Sequence, residues 1–189
     1  EVSDTRIKYL RDQFEEAIRQ LEIISGKKFD PKRLEEVMKI SSENGKLWKY
    51  SMSLPSGNFP SPMNGFDLFS YMAVIVCYRG KKETTEAFKL LISELKEHIK
   101  NGTTSNRCEE KYRIMMEGIP CWPYIGYKMK SLAKKGVNMT GSVYPHAWAL
   151  VYEANDLDGM ARAYSSMFNN VNIEKMVEYR VNALKEGDC

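Results

Sequence analysis

Two short segments of the sequence, residues 117–123 and 142–148, carry side chains that could do chemistry. They supply a carboxylate, a thiol, an imidazole, a phenol and two indoles, from Glu117, Cys121, His146, Tyr144, Trp122 and Trp148. A thiol beside an imidazole could act as a nucleophile with its base. These groups form a site only if the fold brings the two segments together.

The elements around the two segments predict that they lie at one edge of a sheet. Residues 112–117 are typical of a strand, residues 124–135 of a helix and residues 137–144 of a second strand. Such a unit has parallel strands and a right-handed crossover, and ligands of open α/β sheets bind beyond the carboxyl ends of the strands. Free amide groups at the start of the helix could also hold an anion. The predicted substrate-binding residues are Glu117, Gly118, Pro120, Trp122, Tyr144 and His146.

Each candidate also has a purely structural explanation. Glu117 can end a strand and cap a turn, and Cys121 can be a small buried hydrophobe. His146, beside Pro145, can be a turn residue that bonds a carbonyl, and the tryptophans can belong to the core. Only the predicted adjacency of the two loops supports a Cys121–His146 nucleophile and base, so the catalytic residues stay unassigned.

Other common mechanisms have no sequence support. Dinucleotide-binding, P-loop, zinc-protease and serine-hydrolase motifs do not occur. The four cysteines, Cys77, Cys108, Cys121 and Cys189, match no CxxC zinc or redox pattern. We interpret them as reduced thiols of a cytoplasmic protein, because the polar N-terminus carries no signal peptide.

Composition indicates a folded domain of ordinary size. The chain has 189 residues, of which 43% are hydrophobic and 28% charged, and this argues against disorder. Its 28 basic and 25 acidic residues nearly balance, so charge does not indicate a nucleic-acid partner. No apolar run is long enough to span a membrane.

The first part of the sequence predicts helices. An apolar stripe from Ile7 to Ile24 indicates an amphipathic helix that begins at Ser3 or Asp4 and ends at Gly26. Asp30-Pro31 opens a second helix, which we expect Asn44-Gly45 to interrupt. Residues 55–62 predict a loop, because they contain three prolines and a glycine. Further helices are predicted at 66–76, from 84 or 85 to 99, at 157–168 and at 173–185.

The fold class predicted is α/β, with a mainly helical segment over residues 1–108. Residues 109–189 form part of an open, parallel, doubly wound, Rossmann-like sheet. Two strands are too few for a stable parallel sheet that is covered on both faces. The chain also begins without Met and stops soon after a helix-ending glycine. We therefore expect it to be the interior of one larger subunit.

Four segments of the sequence resemble a known family. They are residues 21–31 (LEIISGKKFDP), 61–67 (SPMNGFD), 115–123 (MMEGIPCWP) and 141–148 (GSVYPHAW). With these segments the whole chain resembles the middle of an α subunit of the 2-hydroxyacyl-CoA dehydratases, which are related to benzoyl-CoA reductase subunits. The alternatives are a benzoyl-CoA reductase-like subunit and a non-catalytic domain that only docks a partner subunit.

The resemblance implies a lyase of amino-acid fermentation in anaerobes. Such an enzyme is a heterodimer that removes water from an (R)-2-hydroxyacyl-CoA through a ketyl radical and gives the (E)-2-enoyl-CoA. Its electron comes from an ATP-dependent [4Fe-4S] activator protein and passes through a [4Fe-4S] cluster in the full-length enzyme. None of the four cysteines matches the family's cluster ligands, so this chain alone is expected to hold no cluster and to be inactive. The candidate residues would then form part of the wall of the acyl-CoA pocket.

Overall fold

A computed structural model describes residues 2–106 and 108–189 of the chain. These residues form helices α1 (Asp4–Ser25), α2 (Pro31–Ser56), α3 (Asp67–Cys77) and α4 (Lys82–Asn101), then strand β1 (Tyr112–Met116), helix α5 (Ile125–Ala133), strand β2 (Val137–Ser142), and helices α6 (Leu157–Ser165) and α7 (Ile173–Glu186). Short 3-10 turns occupy Trp122–Tyr124 and Pro145–Trp148. The predicted α/β class is confirmed.

Capping side chains set the starts of three helices where the sequence predicts them. The Ser3 side chain accepts a hydrogen bond from the first turn of α1, Asp30 does so for α2, and Asn172 for α7. These bonds satisfy backbone N–H groups that have no partner inside the helix. Gly26, in the left-handed region at φ 66°, ends α1 as expected.

The predicted break in α2 at Asn44-Gly45 is wrong, because the helix runs on to Ser56. Both residues serve tertiary contacts. The Asn44 amide donates to Thr85 Oγ1 at 2.8 Å and accepts from the Gly80 backbone N–H at 2.9 Å. A Cβ on Gly45 would lie 2.1 Å from the Leu150 carbonyl oxygen, so only glycine lets these two backbones approach.

The start of the predicted 55–62 loop also needs correction. Pro55 lies inside the last turn of α2, and the loop to α3 begins only after Ser56. Proline has no N–H to donate to the carbonyl one turn back, so the last turn of α2 lacks one helical hydrogen bond.

The two strands pair in parallel, as the spacing of the elements predicts. The register joins Tyr112 to Val137 and Met116 to Ser142, with an irregularity between Ile114 and Met115. Met139 of β2 is 1% exposed and belongs to the same core as the large buried side chains of α2, α3 and α4. The strands and the helical segment therefore share one core.

Helix α1 is covered over only part of its apolar stripe. Ile7 is buried, and the Phe14 ring meets the Tyr164 ring of α6 edge to face, with centroids 6.0 Å apart. Leu21 and Ile24 are 62% and 79% exposed. Among the described residues, α6 covers the first part of the apolar stripe and nothing covers the part near its end. In the part of the chain that the structure describes, no helix is long and apolar enough to cross a membrane.

A buried polar network fastens the loop between α2 and α3, residues 57–66, to the sheet. The Glu110 carboxylate accepts from Arg113 Nε at 2.6 Å and from the Ser61 backbone N–H at 3.1 Å. It also accepts from the Asn138 amide at 3.0 Å, and the amide oxygen of Asn138 accepts from the Gly65 backbone N–H. Arg113 in turn donates to the carbonyls of Ser56 and Asn58.

Candidate functional site

A cavity of about 530 Å³ opens at the carboxyl end of β2. Its volume lies within the range of ligand pockets in proteins. Its walls combine apolar side chains with seven polar or charged residues, which are Lys49, Ser142, His146, Ser166, Tyr179, Asn182 and Glu186. This is the edge of the sheet at which a ligand of an open α/β fold is expected.

Four elements carry six of these side chains, and Ser166 directly follows a fifth, α6 (Leu157–Ser165). Ser142 is the last residue of β2, and His146 lies on the 3-10 turn that follows. That turn is anchored from below by Trp48 of α2, which is fully buried and donates from its indole N–H to the Pro145 carbonyl at 2.9 Å. Lys49 follows Trp48 on α2, and Glu186 is the last residue of α7.

His146 lies in a desolvated position inside this cavity. Burial lowers the pKa of its imidazole below the usual 6.5, Glu186 raises it in part, and Lys49 lowers it further. The side chain is therefore neutral near pH 7, with one ring nitrogen as a donor and the other as an acceptor.

The lowered pKa of His146 predicts a stability that falls in acid. On unfolding the pKa returns to about 6.5, so the unfolded state binds more protons between the two pKa values. Stability is then lost as the pH falls through about 6.5. We expect a wild-type subunit to lose more stability between pH 7.5 and pH 5.5 than the His146→Gln variant, measured by urea unfolding. Equal losses in the two proteins would contradict a neutral, partly buried imidazole.

Of the six predicted binding residues, His146 lines this cavity and the other five do not. Tyr144 stands on the same turn but packs edge to face on Trp148, with ring centroids 6.3 Å apart. The Glu117 carboxylate lies 2.7 Å from a guanidinium nitrogen of Arg180 on α7 and is half exposed. A partly exposed pair of this kind contributes at most about 1 kcal/mol.

The other three predicted residues lie on the loop after β1. Gly118 has φ +83°, and Pro120 is buried. Trp122 is 45% exposed and meets the Phe69 ring edge to face, with centroids 6.2 Å apart. Cys121 is exposed and does not line the cavity that His146 lines. The geometry therefore gives no support to a Cys121–His146 nucleophile and base.

Comparison with known proteins decides the family. All of the chain, residues 1–189, matches the family described as 2-hydroxyglutaryl-CoA dehydratase, D-component. The chain belongs to this family. The resemblance carried by the four sequence segments is thereby confirmed.

Three relatives of this dehydratase-family chain are curated α subunits. It is 77% identical to the (R)-2-hydroxyisocaproyl-CoA dehydratase α subunit of Clostridioides difficile over its whole length, which is 46% of that protein. It is 46% identical to the (R)-phenyllactyl-CoA dehydratase α subunit of Clostridium sporogenes, over 97% of this chain and 44% of that one. It is 42% identical to the (R)-2-hydroxyglutaryl-CoA dehydratase α subunit of Acidaminococcus fermentans, over 98% of this chain and 38% of that one.

The chain spans less than half the length of each of these relatives. What their names state about reaction and substrate therefore concerns proteins more than twice as long as this one. The relatives differ in their named acyl groups, which are a branched aliphatic, an aromatic and an acidic one.

The described residues of this dehydratase-family chain do not fit an iron–sulfur cluster. Such clusters are held by several cysteine thiolates that converge on one point. Cys77, Cys121 and Cys189 are exposed, Cys108 is partly buried, and all four are unpaired. Among the described residues, no three His, Cys, Asp or Glu side chains are grouped so that they could hold a metal ion.

Sequence reasoning missed most of the polar side chains of the cavity. Lys49, Tyr179, Asn182 and Glu186 lie on α2 and α7, far in sequence from the strand end, and no local motif marks them. Ser142 had a signal, since it belongs to the strand-end segment 142–148. The rule about strand ends thus locates the cavity but cannot tell which distant helices close it.

Proposed function

We propose that this chain is part of the α subunit of a cytoplasmic (R)-2-hydroxyacyl-CoA dehydratase. The observation that carries the proposal is the family match over residues 1–189, together with three relatives that are each named as the α subunit of such a dehydratase. The 77% identity over the whole chain favours a branched aliphatic acyl group.

The proposed reaction removes the 2-hydroxyl group and a proton from C3 of an (R)-2-hydroxyacyl-CoA. The products are the (E)-2-enoyl-CoA and water, so no net oxidation or reduction takes place. The proton at C3 is not acidic, and this makes a simple acid–base elimination difficult. A ketyl radical formed at the thioester carbonyl would expel the hydroxyl group, and the electron would be returned after each turnover.

The cavity at the end of β2 supplies this chain's share of the substrate site in our proposal. A neutral imidazole at His146 can donate one hydrogen bond to a carbonyl without adding charge. The apolar walls would exclude water from the bound thioester. The other predicted substrate contacts stay predictions, and we place them on a neighbouring part of the same acyl-CoA pocket. They are Glu117, Gly118, Pro120, Trp122 and Tyr144.

The partners proposed are a second dehydratase subunit and an ATP-dependent activator protein. The word subunit in the names of the relatives supports a multi-subunit enzyme. The four cysteines of this chain do not converge, so we assign the ligands of any [4Fe-4S] cluster to other parts of the full-length enzyme.

The test is an anaerobic assay of the full-length subunit with its partner subunit and activator. We expect (R)-2-hydroxyisocaproyl-CoA to give the (E)-2-enoyl-CoA only when ATP, activator and a reductant are all present, detected by chromatography of the CoA esters. The phenyllactyl and hydroxyglutaryl thioesters test the acyl preference. Reduction of benzoyl-CoA, with no water lost from any 2-hydroxyacyl-CoA, would overturn the proposal in favour of a reductase. If the assembled enzyme acts on none of these thioesters, the result would favour the alternative of a non-catalytic domain that only docks a partner subunit.

A further inference from the structure

The second half of helix α1 presents an apolar surface that the described residues leave largely uncovered. Leu21 and Ile24 continue the stripe that begins at Ile7, and they are 62% and 79% exposed. Phe29, in the turn after the helix, is 37% exposed. Apolar side chains of this size gain free energy when they leave water, and neighbouring exposed ones mark a surface that another segment of chain contacts.

Side-chain hydrogen bonds hold this surface in a fixed shape. The Glu22 carboxylate accepts from the Phe29 backbone N–H at 2.8 Å and from the Lys28 ammonium at 3.2 Å. The Ser25 hydroxyl donates to the Leu21 carbonyl at 2.6 Å. The helix end and the turn after it are therefore fastened to each other, and a partner meets a surface that is already formed.

Charged side chains beside the stripe are paired locally. A guanidinium nitrogen of Arg19 lies 2.5 Å from the Glu16 carboxylate, and Lys28 pairs with Glu22. Contacts that are steered by charge match charges of one sign with opposite charges on the partner, whereas permanent contacts are more hydrophobic. Locally paired charges around an apolar stripe therefore fit a permanent, apolar contact.

Two observations identify the chain that makes this contact. The first part of the same stripe packs on α6, where the Phe14 ring meets the Tyr164 ring, so the stripe is already a contact within the chain over part of its length. The chain also covers 46% of the relative to which it is 77% identical. More than half of that protein lies outside the matching segment and needs surfaces to pack on. A stripe that begins as a contact within the subunit therefore continues as one.

We propose that Leu21, Ile24 and Phe29 form a docking surface for the part of the same subunit that lies outside residues 1–189. This inference rests on the proposed function in one respect, since it takes the chain to be part of a longer α subunit. The docking segment presents apolar side chains, because an unpaired charge buried against the stripe would cost free energy. The surface is an internal contact of one subunit and does not bind the second subunit or the activator protein.

Photo-crosslinking of the full-length subunit, assembled with its partner subunit, identifies what covers the stripe. The photo-reactive amino acid p-benzoylphenylalanine replaces Leu21, Ile24 or Ile23, one at a time, and mass spectrometry identifies the cross-linked peptides. Ile23 is the matched control, because it is 76% exposed and lies about 200° around the helix from Leu21. We expect the first two positions to cross-link to residues of the same subunit outside 1–189, and the Ile23 position to give no such product.

Thiol accessibility tests the coverage with a smaller change of side chain. In the assembled enzyme, the thiol of Leu21→Cys is expected to react with N-ethylmaleimide at least about tenfold more slowly than that of Ile23→Cys, because a covered thiol is not accessible to the reagent. Peptide mass spectrometry measures the two rates separately from those of the native cysteines.

The inference is wrong if the Leu21 and Ile24 positions cross-link to the partner subunit or to a second copy of this subunit. It is also wrong if they give no product, if the Ile23 position gives the same product, or if the two cysteine variants react at equal rates. The cross-links are identified without turnover. An enzyme that gives the expected cross-links but removes water from no thioester would therefore overturn the proposed reaction alone.

Discussion

Replacing Glu110 with alanine is expected to destabilise the protein by about 3–5 kcal/mol, as the removal of one partner from a buried ion pair does. The Glu110 carboxylate is buried and satisfies three donors at once, which are Arg113 Nε, the Ser61 backbone N–H and the Asn138 amide. The substitution removes the buried counter-charge of the Arg113 guanidinium and leaves it only the exposed Asp188 carboxylate, 3.9 Å away. It also leaves two buried N–H donors without an acceptor, and each adds a desolvation cost.

The neighbouring Glu109 is the control for this prediction. Its side chain is 80% exposed and lies 3.5 Å from the Lys111 ammonium, so Glu109→Ala is expected to change stability by less than about 1 kcal/mol. Glu110→Gln keeps the shape and one acceptor oxygen, and an intermediate loss is expected. Urea unfolding of the full-length subunit, followed by tryptophan fluorescence, measures all three. Equal effects of Glu110→Ala and Glu109→Ala would show that the network does not fasten the loop to the sheet.

Sequence rules for helix caps and strand pairing predicted the structure correctly wherever neighbouring residues alone determine it. Ser3, Asp30 and Asn172 cap helices in the structure because each offers a side-chain oxygen to free amide groups within a few residues. The parallel pairing of β1 and β2 followed from the helix between them, since a connection of that length allows little else.

The same rules failed where residues distant in sequence determine how far a helix runs or which partner a side chain has. Asn44-Gly45 has the composition of a helix stop, yet α2 continues through it because Asn44 bonds the α3–α4 connection and Gly45 makes room for Leu150. Glu117 stands at a strand end with the chemistry of a site residue, but it pairs with Arg180 from a helix more than sixty positions away. Such contacts depend on tertiary packing, which no window of sequence contains.

Gly65→Ala is expected to destabilise the protein by about 3 kcal/mol or more, at the upper end of what overpacking costs. A Cβ atom on Gly65 would lie 1.5 Å from the Met139 carbonyl oxygen and 2.7 Å from its carbonyl carbon. Both are backbone atoms of β2, so no side-chain rotation can relieve the clash. The strand and the 57–66 loop must separate, which breaks the bond from the Gly65 N–H to Asn138.

Gly126→Ala tests whether this cost comes from the close approach and not from the loss of a glycine. Gly126 lies in helix α5, and a Cβ there would meet nothing within 4 Å. Alanine in a helix restricts the unfolded chain, so this variant is expected to gain about 0.4–1 kcal/mol. Opposite signs in urea unfolding of the two variants are the expected result. A Gly65→Ala variant as stable as Gly126→Ala would mean that the loop does not touch β2. The network through Glu110 and Asn138 would then not hold in place the strand that carries Ser142 to the cavity.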